Sequence, residues 1–274
     1  MTAVALRPLP LPTRLLLGSF SGLIVAFLFL PMLIVVVLSF SPLSYLSFPP
    51  PGVSLRWYQG LPASSEWLHA LWSSIKVAVP VTALSVALGV AAAQVAVRGR
   101  VRWRAAFAAL VAAPMMVPHI VLAIGMYPTM VDAGLSGTFA AIVLAHTVIA
   151  MPFVFITVRA SLQGYSPALE QAAMTMGATG WVAFRRVTLP MVAPGIVTGA
   201  VFAFTASFDE LMLSLFLTTP ETNTLPRVIW AHLAFQLSPD IAAVATLVLV
   251  VSCILVAIPL VLRKRGAAIP GLAE

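Results

Sequence analysis

A chain of 274 residues with 61% hydrophobic and only 8% charged residues is no soluble globular domain and reads as an integral membrane protein. Its net charge of +7 sits in short segments beside apolar runs, which is the pattern of membrane-protein loops and not of a nucleic-acid face. The single cysteine, Cys253, lies in an apolar run and excludes an internal disulfide or a thiolate metal site.

Residues 1–14 are Pro-rich, carry Arg7 and Arg14, and read as a short tail. Leu15 to Phe40 follows without a charge, longer than the apolar core of a signal peptide (about 7–15 residues) and long enough for a ~30 Å hydrocarbon layer, so it is a first transmembrane helix. The Pro49-Pro50-Pro51-Gly52 break opens a loop in which Trp67, Leu68, Leu71, Trp72 and Ile75 recur at helical spacing, an interfacial lead into the second span at Val77–Val97. A basic turn, Arg98 to Arg104, precedes a third span from Ala105 to about Met130. Pro114, Pro118 and Pro128 interrupt it, and the carbonyls they free must be met by protein rather than lipid. Spans four to six are Thr138–Val158, Met191 to about Leu217, and Ile241–Leu262, with a short amphipathic piece at Leu225–Leu237 and a second tail at 266–274.

The expected class is therefore all-α integral membrane, with six transmembrane helices in residues 15–265. Six spans place both termini on one side. With that side cytoplasmic, 12 of the 15 basic residues are inside, and only Arg56, Lys76 and Arg227 are not.

Between spans four and five lies a polar stretch, residues 165–190, that is no plain span. Ser166-Pro167 suits a helix start, because proline loses nothing in the first turn. Gly177 permits a backbone reversal, Thr179 can cap a second short helix from Gly180 to Val187, and Pro190 opens the next span. Two helices meeting at a glycine make a protruding elbow. A helix merely lying on lipid would use Arg185 and Arg186 for phosphates, but would not need the glycine and Leu-Pro spacing.

Gln171-Ala172-Ala173, three residues, Gly177, nine residues, then Val187-Thr188-Leu189-Pro190 resembles the loop signature of membrane subunits of binding-protein-dependent type I ABC importers. Gln171 stands where the signature has Glu, although Glu170 is one residue earlier, and Val187 stands for Ile. The resemblance, which spans about Leu55 to Arg265, implies a permease that catalyses no covalent step. It implies as partners a second permease, two cytoplasmic ATPases that bind the ATP and Mg, and an extracytoplasmic binding protein, in a bacterial inner membrane. No cofactor and no metal is expected on this chain. ATPase coupling would fall on Glu170, Gln171, Ala172, Ala173, Gly177, Ala178, Thr179, Trp181, Phe184, Arg185, Leu189 and Pro190.

Asp209 and Glu210 are the residues least like a bland span. At a span centre an acid costs about 2.5–3.5 kcal/mol, so both should face protein or a water-filled path. Counting ~1.5 Å per residue from Pro190 puts them roughly 28 Å up the fifth helix, with Ser207, Glu210 and Ser214 on one face and Asp209 on another. Ser207-Phe208-Asp209-Glu210, Ala145-His146 and Met151-Pro152-Phe153-Val154 resemble spermidine/putrescine-type permeases, as does Leu55-x-Trp57-Tyr58. That likeness implies a translocation path for a small cationic solute lined by Ser207, Asp209, Glu210 and Ser214. Pairing of the acids with a basic group, another small solute (opine, amine or oxyanion), and an ATPase-independent secondary transporter stay open. His69, His119, His146 and His232 lack metal-ligand spacing and read as packing or hydrogen-bonding residues. No G-x-x-x-x-G-K-[ST] occurs, so the chain has no P-loop for ATP phosphates.

Overall fold

The computed structural model describes residues 10–99, 102–235 and 238–266, and these are helical with no strand. The helices are α1 (Leu11–Ser39), α2 (Arg56–Gly60), α3 (Ser65–Arg98), α4 (Arg104–Ala112), α5 (His119–Asp132), α6 (Phe139–Gln163), α7 (Ala168–Thr175), α8 (Gly180–Ala183), α9 (Leu189–Phe208), α10 (Met212–Leu217), α11 (Leu225–Phe235) and α12 (Pro239–Gly266). Five are long and apolar enough to cross a membrane, or six if the bent α4–α5 pair counts as one. Most of the expected tails, 1–9 and 267–274, lie outside the described residues.

Contacts cluster into two units. One is built on the segment ending at Leu61 and the start of α12 as far as Leu247. In it α1 begins at Leu11, four residues before the expected span, because Pro12 fits its first turn. No side chain of its apolar window is buried, as expected of a helix that faces lipid or another chain. Its C-terminus is tied to the following loop: Ser39 Oγ meets Tyr58 OH at 2.7 Å, Trp57 Nε1 donates to the Ser41 carbonyl at 2.9 Å, and Arg56 Nη1 donates to that of Pro42 at 2.8 Å.

The second unit, Pro62–Phe235 with α12 from Val248, is organised on α3, α6 and α9. Val77 and Val81 of α3, Ile142, Val154 and Val158 of α6, and Val192 and Ala203 of α9 form its core. Glycine sets the closeness. A Cβ at Gly199 would lie 2.5 Å from Thr157 Oγ1 and 2.7 Å from the Val154 Cα, and one at Gly195 would lie 2.9 Å from the Thr157 carbonyl oxygen. In a bilayer, where apolar side chains gain nothing by leaving lipid, such backbone approach is what van der Waals packing needs.

Three expected elements differ. The interfacial helix and second span are one 34-residue helix, α3, because no breaker separates them once Ser64 has capped its start. The third span is interrupted, as its prolines predict, but Pro128 stays inside α5 and the two segments diverge sharply. It breaks around Pro114 and Pro118 and turns by 100° between the Arg104–Met116 and His119–Asp132 segments. The fifth span also breaks, with Asp209 closing α9 and α10 starting at Met212.

Candidate functional site: the elbow and the polar layer at the α9 break

The elbow forms as its residue types require, with one correction. Pro167 precedes α7, and Gly177 ends it at φ +93°, where the Gly177 N–H donates to the Met174 carbonyl and the Ala178 N–H to that of Ala173, both at 3.0 Å. This left-handed cap satisfies carbonyls that the helix end would orphan. Thr179 Oγ1 accepts the Val182 N–H at 3.3 Å and caps α8. The expected second short helix, however, does not stand alone. α8 runs through a π turn at Phe184–Thr188 straight into α9. The turn lies over the residues whose carbonyls Pro190, lacking an N–H, cannot meet, and the Leu189 N–H reaches back to the Phe184 carbonyl, so the helix bulges there without ending.

Burial sorts the expected coupling residues. Gln171, Ala172, Gly177, Thr179, Arg185, Leu189 and Pro190 are exposed, as is Trp181, which stacks on half-buried Phe184 at 5.6 Å. Leu169, Met174 and Met176 add apolar surface, Met176 being 83% exposed. Ala173 and Ala178 are half-buried. Glu170 turns the other way, toward Arg98, Tyr165 and Thr188 of its own chain. Burial alone would raise its pKa, but hydrogen bonds from Tyr165 and Thr188 and the charge of Arg98 outweigh burial and hold the carboxyl below its usual range. Burial pushes the Tyr165 phenol up, and its hydrogen bond to Glu170 adds to that.

A second polar cluster lies at the break between α9 and α10. Glu210 is buried, with Oε2 2.7 Å from His119 Nδ1 at the start of α5 and Oε1 accepting the Leu213 N–H at 3.0 Å. It thus caps α10 and joins it to the broken third span. His146, wholly buried on α6, has Nδ1 3.0 Å from Ser207 Oγ and Nε2 3.5 Å from Ser214 Oγ, and Ser214 also donates to the Glu210 carbonyl at 2.9 Å. Ser207, Glu210 and Ser214 therefore do come together, but across a break, not along one face of a continuous helix. His119 and His146, expected as packing or hydrogen-bonding residues, supply the partners. The signal available for them was that a polar side chain inside an apolar chain must pair.

Asp209 alone of the four expected path residues is exposed. It stands at a cavity of about 230 Å³ with Phe208, Leu211, Leu225, Pro226, Ile229, Trp230, Leu233 and Val248. A cavity lined by a carboxylic acid residue, a tryptophan and aliphatic side chains offers charge and aromatic surface to an ammonium group and apolar contact to the methylenes of an alkyl amine.

Residues 85–264 match the family described as the binding-protein-dependent transport system inner membrane component. The spermidine/putrescine transport system permease protein PotC of Escherichia coli (strain K12) is 31% identical over 243 residues, 89% of this chain and 92% of that protein. The putrescine transport system permease protein PotI of the same strain is 33% identical over 230 residues, 81% of this chain and 82% of that one. Among solved structures, a bacterial ABC transporter involved in the import of the acidic polysaccharide alginate superposes with TM-score 0.69 at 17% identity, over 93% of this chain and 99% of that chain. The methionine ABC transporter MetNI in an inward-facing conformation gives TM-score 0.58 at 23% identity, over 72% and 93%. Elbow spacing, apolar spans and a family match over most of the length agree: the chain is a member of the family of inner membrane components of binding-protein-dependent transport systems.

Proposed function

We propose that this permease subunit forms half of the path by which an ATP-driven importer moves a small, polyamine-like cation across the inner membrane. The exposed face of α7 and α8, with Gln171, Ala172, Met174, Met176 and Trp181, contacts a cytoplasmic ATPase. The termini are then cytoplasmic, as the placement of the basic residues supports. A second permease completes the path, two ATPases supply the ATP and Mg chemistry, and an extracytoplasmic binding protein delivers the solute.

The observation that carries the substrate class is the division of labour between the two acids. Glu210 is taken up by His119 and the start of α10, while Asp209 is exposed and lines the same cavity as Trp230. Names of the PotC and PotI relatives point the same way. The test is uptake of labelled spermidine and putrescine by cells carrying the importer, with Asp209→Asn and Trp230→Ala. Removing one charged contact to an ammonium should raise the half-saturating concentration about ten- to a hundredfold, at roughly 1.5–3 kcal/mol for a charge-assisted hydrogen bond. Unchanged uptake in Asp209→Asn overturns the cation reading.

A further inference from the structure

One carboxylate holds the elbow to three separate parts of the chain. Glu170 Oε1 lies 3.4 Å from Arg98 Nε at the end of α3 and accepts from Tyr165, just beyond α6. It also accepts from Thr188 Oγ1 at 2.9 Å, where the π turn meets α9. Arg98 extends the cluster, donating through Nη2 to the carbonyls of Leu162 at 3.2 Å and Tyr165 at 3.3 Å, with its guanidinium 4.9 Å from the centre of the Tyr165 ring. The Glu170 side chain is only 18% exposed, whereas Leu169, Gln171 and Ala172 beside it are exposed.

The cluster answers a mechanical problem. α7 has eight residues and is far too short to be held by its own hydrogen bonds. It joins the spans through two short links, one containing Gly164 and the other Gly177, so a push on its outer face could simply rotate it. α3, α6 and α9, by contrast, share one packed core. A contact from α7 to the ends of all three passes its displacement to that core at once.

We propose that Glu170 is a positioning residue, a latch that fixes α7 to the ends of α3, α6 and α9 so that movement of the ATPase against the elbow reaches the spans. The latch rests on the reading of α7 as the ATPase contact, and it assigns Glu170 a role inside its own chain instead of at the ATPase surface.

Two measurements separate the latch from that reading. In the first, the full chain in lipid nanodiscs, with Cys253→Ser and a nitroxide on Met176→Cys, reports elbow mobility with no ATPase present. Glu170→Gln, Tyr165→Phe and Arg98→Met should each loosen the label, and Glu170→Gln combined with Arg98→Met should loosen it less than the sum, as partners in one network do. In the second, the assembled importer in proteoliposomes reports spermidine moved per ATP hydrolysed. Glu170→Gln and Arg98→Met should lower that ratio by about three- to tenfold, the range expected for losing a charged hydrogen bond partly screened by solvent, while the ATPase still co-purifies. A label as immobile in Glu170→Gln and Arg98→Met as in the parent overturns the latch. Loss of the ATPase from Glu170→Gln alone, with Arg98→Met normal, overturns it in favour of a direct contact. A loosened label with an unchanged ratio overturns transmission through the elbow, and with it the coupling role of α7.

Discussion

Gly177 is where the elbow is most exposed to a single substitution. Its φ of +93° is a region that a side-chain-bearing residue enters at a cost of about 1–3 kcal/mol, largest for β-branched residues. A Cβ placed there would meet nothing within 4 Å, so the cost is conformational and not steric within this chain. Relaxing to negative φ would break the two capping bonds, Gly177 N–H to Met174 and Ala178 N–H to Ala173, and swing α7 away from α8. At 1.4 kcal/mol per tenfold, Gly177→Val should depopulate the elbow by about ten- to a hundredfold, and Gly177→Ala by about tenfold. Gly177→Asn should do less, because asparagine visits positive φ more readily. Membrane insertion should be intact in all three, since no span contains the residue. The assay is transport per ATP hydrolysed by the reconstituted importer, and the expected order is Gly, Asn, Ala, Val. Asparagine is larger than alanine. If instead Asn proves worse than Ala, a clash with the ATPase and not backbone conformation governs the site, and the argument from φ is refuted.

The close approach of α6 and α9 makes the contrary case. A Cβ at Gly199 meets the backbone of Val154, so Gly199→Val must push the helices apart, costing about 1–3 kcal/mol and lowering the melting temperature in detergent. Gly125→Ala, inside α5 where a Cβ meets nothing, should not lower that temperature and serves as the control. The latch should also respond to pH. Because the Glu170 carboxyl titrates below its usual range, its stabilising contribution is complete above about pH 4.3 and is lost as pH falls through the lowered value. The Tyr165 phenol titrates above its usual range, so its contribution is complete below about pH 10 and is lost as pH rises through the higher value. The label at position 176 should therefore stay immobile across the neutral range and loosen at both extremes. Loosening near pH 7 would mean that Glu170 does not hold the elbow.

The features legible in the sequence are those that a residue imposes on its own neighbourhood. Apolar length marked the spans, Thr179 and Gly177 marked a cap and a reversal, and Pro114 and Pro118 marked a break in the third span. Proline says where backbone carbonyls come free, but not in which direction the chain departs, so the 100° turn was out of reach. The break at Asp209 was harder still. Ser207-Phe208-Asp209-Glu210-Leu211 contains no glycine or proline, and local propensity carries the helix through it. The helix stops there because the Glu210 side chain, paired to His119 from 91 residues earlier, takes over the start of α10. Glu170 poses the same problem, since its partners come from positions 98, 165 and 188. In an apolar chain within lipid, a polar side chain has few places to go, so the need for a partner can be read from composition alone. Which partner it finds depends on how the helices pack, and in this chain that is set by glycines at Gly195 and Gly199 whose role is invisible until α6 lies against α9. Local signals thus place the elbow, and long-range pairing of rare polar residues decides which of its faces is free to meet another protein.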